Sequence, residues 1–174
     1  MCASIGLMEK FKYLLLLTST AAIVALDQAT KIYIHTHYRL GESTSVIEDY
    51  FNITYVRNPG AAFGFLAKSN PAFRENFFLI LPPLLMAVIL WLLRGTPFKE
   101  RVQVIALCLV FGGALGNYID RIQHGFVIDF LDFHYKGVYS WPAFNVADIT
   151  IVTGISLMVL MSFLEQKKSG KAKA

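Results

Sequence analysis

The stretch FNVADITIVTGISLMVLMSFLEQKK, residues 144–168, decides the fold. From 146 to 164 it is apolar apart from Asp148 near its start and a few hydroxyls, and it closes on Glu, Gln and two lysines. A run of that length crosses a hydrocarbon core, which takes roughly 17–25 helical residues. Comparable runs occupy 11–29, 77–93 and 102–118. Four of them predict an all-α integral membrane protein, a four-transmembrane-helix bundle forming a single membrane domain over 1–174. Composition agrees, since 55% of residues are hydrophobic and 16% charged, with a mean hydropathy of +0.51. The first run, behind Lys10 and Lys12, also has the form of a cleavable signal peptide. The later runs keep the chain in the membrane under either reading, and Met8 is an alternative start.

The formal charge of +4 comes without a basic block, which argues against a nucleic-acid partner. Cys2 and Cys108 make neither a disulfide framework nor a metal motif, and His35 and His37 read as solvated loop histidines. Lysine and arginine set the orientation. Lys10, Lys12, Arg94, Lys99, Arg101, Lys167, Lys168, Lys171 and Lys173 flank the spans on one side, outnumbering those in the much longer segments opposite. Both termini are therefore expected in the cytoplasm, with extracytoplasmic segments at 31–75 and 119–145.

That topology brings the end of the third run and the start of the fourth to the outer surface, so Asp120, Asp129, Asp132 and Asp148 share one level, joined by Asp27. Ionisable groups in or beside membrane spans are costly and mark function. In the first outer segment VIEDYFNITYV, rich in β-branched and aromatic residues and ending at NPG, predicts a short strand pair or small sheet. Its residues favour a sheet that caps the bundle over one whose edge holds an extended peptide. GAAFGFL after it is expected to lie in the membrane interface. The second outer segment shows no long regular period, and SWPAF puts Trp141 where interfacial aromatics belong.

Asp27 and Lys31, four apart on one helical face, read as a structural ion pair. Asn117, Asp120 and Arg121 close the third run as scaffold, with Arg121 a candidate to orient a neighbouring carboxylate. Asp148 suits the first turn of a helix. If two of the outer acids meet, repulsion and burial keep one protonated and the other ionised, the arrangement that activates a water and polarises a carbonyl. Periodicity leaves open which of Asp120, Asp129, Asp132 and Asp148 form that pair.

Five segments in order, DQATK (27–31), RNPGAAFG (57–64), GGALGNYIDR (112–121), GFVIDF (125–130) and FNVAD (144–148), resemble the lipoprotein signal peptidases of bacteria, the type II signal peptidases. The resemblance runs from about residue 10 to 165. It implies an aspartic endopeptidase whose catalytic pair is Asp129 and Asp148, which leaves Asp120 and Asp132 outside the pair. It also implies that Asn58 and Gly60 lie near substrate, that Asn117, Arg121 and Asn145 support the site, and that Asp27, Lys31 and Asp120 are structural.

By the same resemblance the substrate is a prolipoprotein whose lipobox cysteine carries a diacylglyceryl group, cleaved just before that cysteine at the outer face of a bacterial inner membrane. Neither metal nor organic cofactor is required, membrane lipid surrounds the protein, and the cyclic peptide globomycin blocks it. A small ion-coupled transporter is the alternative, although its coupling acids belong near the bilayer midplane and its halves repeat.

Overall fold

The computed structural model describes residues 2–60 and 70–171, with side chains over 9–60 and 70–166. Four helices carry the apolar runs: α1 (Cys2–His37), α2 (Pro71–Gly95), α3 (Arg101–His124) and α4 (Val146–Lys171). Membrane-spanning stretches within them are Glu9–His37, Pro71–Gly95, Arg101–His124 and Val146–Gln166. Each exceeds its apolar run because polar residues at the ends complete the helix. His35 accordingly sits on α1 and not in a loop. Leu17, Trp91 and Phe163 are 69%, 72% and 65% exposed. Such surface is untenable in water and natural against lipid.

Helix ends follow local chemistry. Asn70 caps α2, its side-chain oxygen accepting from Ala72 N–H at 2.9 Å, with Pro71 in the first turn where a missing N–H costs nothing. α3 stops at Gly125, whose φ of 76° is the left-handed conformation that glycine adopts without strain, and its N–H returns to Arg121 O at 3.0 Å. At the opposite end of the bundle, Lys12 Nζ donates to Arg94 O at 3.1 Å and Thr96 O at 3.0 Å while pairing with Glu9 at 2.9 Å. A cation is thereby fixed on the negative end of α2, and α1 is tied to α2.

α3 is the most enclosed helix and packs against the other three. Glycines make that possible. A Cβ on Gly112 would lie 2.8 Å from Ile23 Cδ1, one on Gly116 would lie 2.6 Å from Asp27 Oδ2, and one on Gly154 would lie 2.6 Å from Ala106 O. Small residues at these crossings let helices approach closely in lipid, where van der Waals contact replaces hydrophobic drive. Gly116→Ala is expected to destabilise by about 1–3 kcal/mol, because Asp27 is held on all sides and cannot yield. Thermal unfolding in detergent checks this, and an unchanged midpoint would show that the crossing is slack.

Between α1 and α2 lies the expected strand pair, β1 (Ser43–Ile47) with β2 (Phe51–Asn58). β2 then pairs with β3 (Val127–Tyr135), and β3 with the short β4 (Tyr139–Ser140), all antiparallel in the order β1-β2-β3-β4. The second outer segment therefore does hold a regular strand. Val127, Ile128, Asp129 and Phe130 are all buried, so the usual alternation of buried and exposed residues is erased where the strand enters the bundle. Ile34, Tyr55, Ile128 and Phe130 pack together and seat the sheet on the end of α1. A register shift between Ile53 and Val56 turns Thr54 and Tyr55 toward Glu42, whose carbonyl takes Thr54 Oγ1 at 3.2 Å and Tyr55 N at 3.0 Å. Past that bulge Val56 faces Asp129 and Asn58 faces Val127. The sheet thus delivers Asn58 to the site.

Candidate active site

Two carboxylates from distant parts of the chain meet where β3, α3 and the start of α4 converge. Asp129 is on β3 and 2% exposed; Asp148 is in the first turn of α4 and half-buried. Asn145 joins them. Its side-chain nitrogen donates to Asp129 Oδ1 at 2.7 Å, its side-chain oxygen accepts Asp148 N–H at 2.9 Å, and its own N–H donates to Asp148 Oδ2 at 3.2 Å. The last two bonds form a reciprocal cap on α4, in which residue and partner three positions on satisfy each other's main chain. The first-turn reading of Asp148 thus holds alongside its place in the site.

Amides complete the setting. Asn117 donates to Asp148 Oδ1 at 2.7 Å and accepts from Asn145 at 3.1 Å, while Asn58 donates to Asp129 Oδ2 at 3.0 Å. Asn58 also accepts Gly60 N–H at 3.1 Å, which fixes the turn leaving β2. Each carboxylate therefore receives an N–H on both oxygens. Asp129 nonetheless has its pKa pushed up to about 7, first by burial and next by the negative charge of Asp148, against the opposing pull of Asn58, Asn145 and Lys31.

Behind the pair lies a second layer. Lys31 Nζ, buried on α1, reaches Asp27 Oδ2 at 2.9 Å, Asp120 Oδ2 at 3.0 Å and Asn117 Oδ1 at 2.8 Å. All three ammonium protons are used. Asp27 Oδ1 accepts Ala147 N–H at 2.9 Å, a further cap on α4, and Asp120 Oδ2 accepts Ile128 N–H at 3.0 Å. Gln28 bridges Asp120 Oδ1 at 2.8 Å and Gly116 O at 3.2 Å. The ion pair expected of Asp27 and Lys31 is present, and Asp120 makes it a triad that ties α1 and α3 to β3 and α4. Gln28, within the quoted DQATK, belongs to this layer although the sequence reading passed over it.

Arg121 meets the site through main-chain oxygens. Its guanidinium donates to Asn117 O at 3.1 Å and Gly60 O at 3.0 Å and lies 4.8 Å from the Phe78 ring, so it braces α3, α2 and the turn after β2 rather than gripping a carboxylate. Asp132 sits farther along β3, within 3.4 Å of Asn52 and 3.3 Å of Ser140. His35, on its helix, bonds Tyr55 OH at 2.6 Å and packs 5.1 Å from His124, so it is a sheet fastener and not a solvated side chain. Of GAAFGFL only Gly60 falls among the described residues.

The two acids open onto a cleft of about 740 Å³. Asn58, Asn117 and Arg121 supply its polar wall; Val56, Trp141, Phe144 and Val152 supply much of the rest. A mostly apolar groove with a few convergent polar groups is the usual form of a ligand site. At residues 19–164 the chain matches the model of one protein family, described as signal peptidase (SPase) II. The chain belongs to that family.

Relatives agree. A lipoprotein signal peptidase of Syntrophus aciditrophicus is 46% identical over 155 residues, covering 89% of this chain and 96% of that protein. One of Desulforapulum autotrophicum is 49% identical over 137 residues, covering 79% and 84%. A solved structure of a bacterial membrane enzyme superposes with a TM-score of 0.79 at 31% identity, covering 88% of this chain and 90% of that one. Membership makes the protein a multi-pass bacterial membrane peptidase of the signal peptidase II type, and it removes the ion-coupled transporter from consideration.

Proposed function

We propose that this signal peptidase II is an aspartic endopeptidase that cuts diacylglyceryl-modified prolipoproteins just before the lipidated cysteine, with Asp129 and Asp148 as its catalytic pair. Family membership makes removal of the signal peptide from prolipoproteins its activity. The observation that carries the aspartic reading is the bridging of both carboxylates by Asn145 at the floor of the cleft.

Their environments suit divided roles. Asp129, buried and raised to about 7, holds a proton near neutrality and donates a hydrogen bond to the scissile carbonyl as negative charge develops on its oxygen. Asp148, at the positive end of α4, is the carboxylate that takes a proton from the attacking water. Collapse of the tetrahedral intermediate passes a proton to the departing amine, and the two acids return to one shared proton. Burial and the neighbouring charge hold the Asp129 carboxyl above the usual carboxylate range, which suits it to keep a proton.

A signal peptide is itself a membrane helix, so its cleavage site emerges at the bilayer surface. With both termini cytoplasmic, that surface is the outer one and the pair lies on it. Lipid chains stay in the bilayer while the peptide enters the cleft, and globomycin, a cyclic peptide, competes for the same groove. The test is cleavage in detergent of a precursor peptide with and without its diacylglyceryl group. Preference for the modified peptide and inhibition by globomycin are expected; equal turnover of both would defeat the substrate assignment.

The pH dependence follows from Asp129. Because its folded pKa is raised above the unfolded carboxylate value, protonation is retained as pH climbs through 4 and lost near 7. Turnover should fall above about 7, and fold stability should decline as pH rises from about 4 through 7, where the folded state binds the extra proton. Asn58→Ala removes a donor to the ionised form, so the alkaline limb should move to higher pH. A limb that stays in place would dissociate it from Asp129.

A further inference from the structure

Where the ends of α1 and α3 meet the sheet, a set of side chains closes a ring. His35 Nδ1 lies 2.6 Å from Tyr55 OH, and Arg57 Nε donates to the same hydroxyl at 2.9 Å. The Arg57 guanidinium stands 4.7 Å from the Phe126 ring, Phe126 stacks on His124 at 5.6 Å, and His124 packs 5.1 Å from His35. Asn58 next in β2 reaches Asp129, whereas Arg57 pairs with Ile128, which packs with Ile34 and Tyr55. Arg57 and His124 are exposed, and no carboxylate lies within 4.0 Å of Arg57 among the described residues. Depth in the bilayer follows from helix length. The span Glu9–His37 has 29 residues, about 43 Å of helix, against roughly 30 Å of hydrocarbon and 40–45 Å with headgroups included. His35 is near the end of that span and His124 ends the span Arg101–His124, so the ring lies at headgroup level.

We infer that this ring binds the phosphate of an anionic phospholipid in the leaflet on the side of the acids. Arg57 is the principal ligand. Its terminal nitrogens offer the parallel N–H pair that grips two phosphate oxygens, and Tyr55 and Phe126 already hold the guanidinium, so little side-chain freedom is lost on binding. His124 adds a second donor beside the same aromatic ring. On the bilayer side, Ile32 and Ile122, 59% and 60% exposed, lie within a turn of the two histidines and continue the lipid-facing surface along which acyl chains run. A cation with no acid beside it favours a lipid of net negative charge over a zwitterionic one, whose amine finds no carboxylate here. Arg57 precedes Asn58, the donor to Asp129, so a headgroup on the ring steadies the strand that carries Asn58 to the site.

Native mass spectrometry of the full-length protein in a non-ionic detergent tests this, with phosphatidylglycerol or phosphatidylcholine of the same acyl chains as the titrant. The parent should take its first phosphatidylglycerol at about a tenth of the concentration needed for phosphatidylcholine, the scale of one charge-assisted hydrogen bond. Arg57→Gln should abolish that preference, while Arg101→Gln, at the opposite end of the bundle, should keep it. Should Arg57→Gln fail to fold, His124→Glu sets a carboxylate at an exposed position of the same ring and should abolish the preference likewise. No preference in the parent overturns the proposal, as does an unchanged preference in a folded ring variant or an equal loss in Arg101→Gln. Displacement of the lipid by ammonium phosphate at the lipid's own concentration would make the ring a site for a free anion and overturn the lipid assignment.

Discussion

Asp129→Asn and Asp148→Asn should each abolish cleavage of a lipid-modified precursor, with a loss of at least ~10³-fold in kcat, while the thermal midpoint stays near that of the parent. General acid or base catalysis alone is worth about 10²–10⁴-fold, and removing either carboxylate disables both the water and the carbonyl. Asparagine keeps the size of each side chain and its Oδ1 accepts one of the two N–H groups it faces, so each variant gives up about one hydrogen bond, on the order of 1 kcal/mol, and stays folded. Asp129→Asn even relieves a buried charge beside Asp148, and its stability above pH 7 should match or exceed the parent's. The double variant should be no less active than either single one, since the two acids act as a unit. Measurable turnover in a folded single variant would refute the pair; single-turnover cleavage assays on purified protein give the reading.

Lys31→Met should be the most damaging single change to the fold. The methionine fills most of the volume but leaves Asp27, 0% exposed, and Asp120, 1% exposed, facing each other without a cation. Breaking a buried ionic group by removing one partner costs about 3–5 kcal/mol, far above the worth of a surface pair. For a chain of this size that lowers the thermal midpoint by about 10 °C. Adding Asp120→Asn should restore much of the loss, because a single carboxylate and an amide remain. An unchanged midpoint for Lys31→Met would mean that the triad contributes little. Activity should fall as well, since Lys31 holds the Asn117 oxygen and Asn117 holds Asp148.

Both outcomes depend on one feature of the fold. α4 begins inside the site, and its first N–H groups are taken by Asp27 and Asn145, so the cap of the helix and the support of the acids are the same hydrogen bonds. Substitutions that loosen the cap should therefore move Asp148, and those that disturb Asp148 should fray the helix. Gly113 and Gly116 on α3 allow this start to sit against α1 and α3 without a side chain between.

Much of this was legible along the chain. Four apolar runs specify four spans because lipid accepts only backbone that satisfies itself, and a helix does so locally. Asp27 and Lys31 lie one turn apart, and Asp148 follows Asn145 by the capping interval, so their pairings are local as well. Composition and spacing could gather Asp120, Asp129, Asp132 and Asp148 at one level, yet only likeness to a family separated the second and fourth from the rest. Periodicity does not mark β3, because both faces of its first half are buried, and hydropathy does not mark His35 as helical, because the helix continues past its apolar run.

The tertiary structure alone set the surroundings of the outer acids. Asp120 and Asp129 stand nine residues apart and look alike in sequence, but one faces the ammonium of Lys31 and the other faces Asp148 and the cleft. Contacts such as Lys31 with Asn117, or Asn145 with Asp129, span 86 and 16 residues, and no periodicity encodes them. By itself the sequence determined a membrane bundle with acids at one rim, since burial in lipid is governed by local hydropathy. Which acid is neutralised and which is left to react depends on desolvation and on neighbouring charge, and those arise only when helices and sheet close around it.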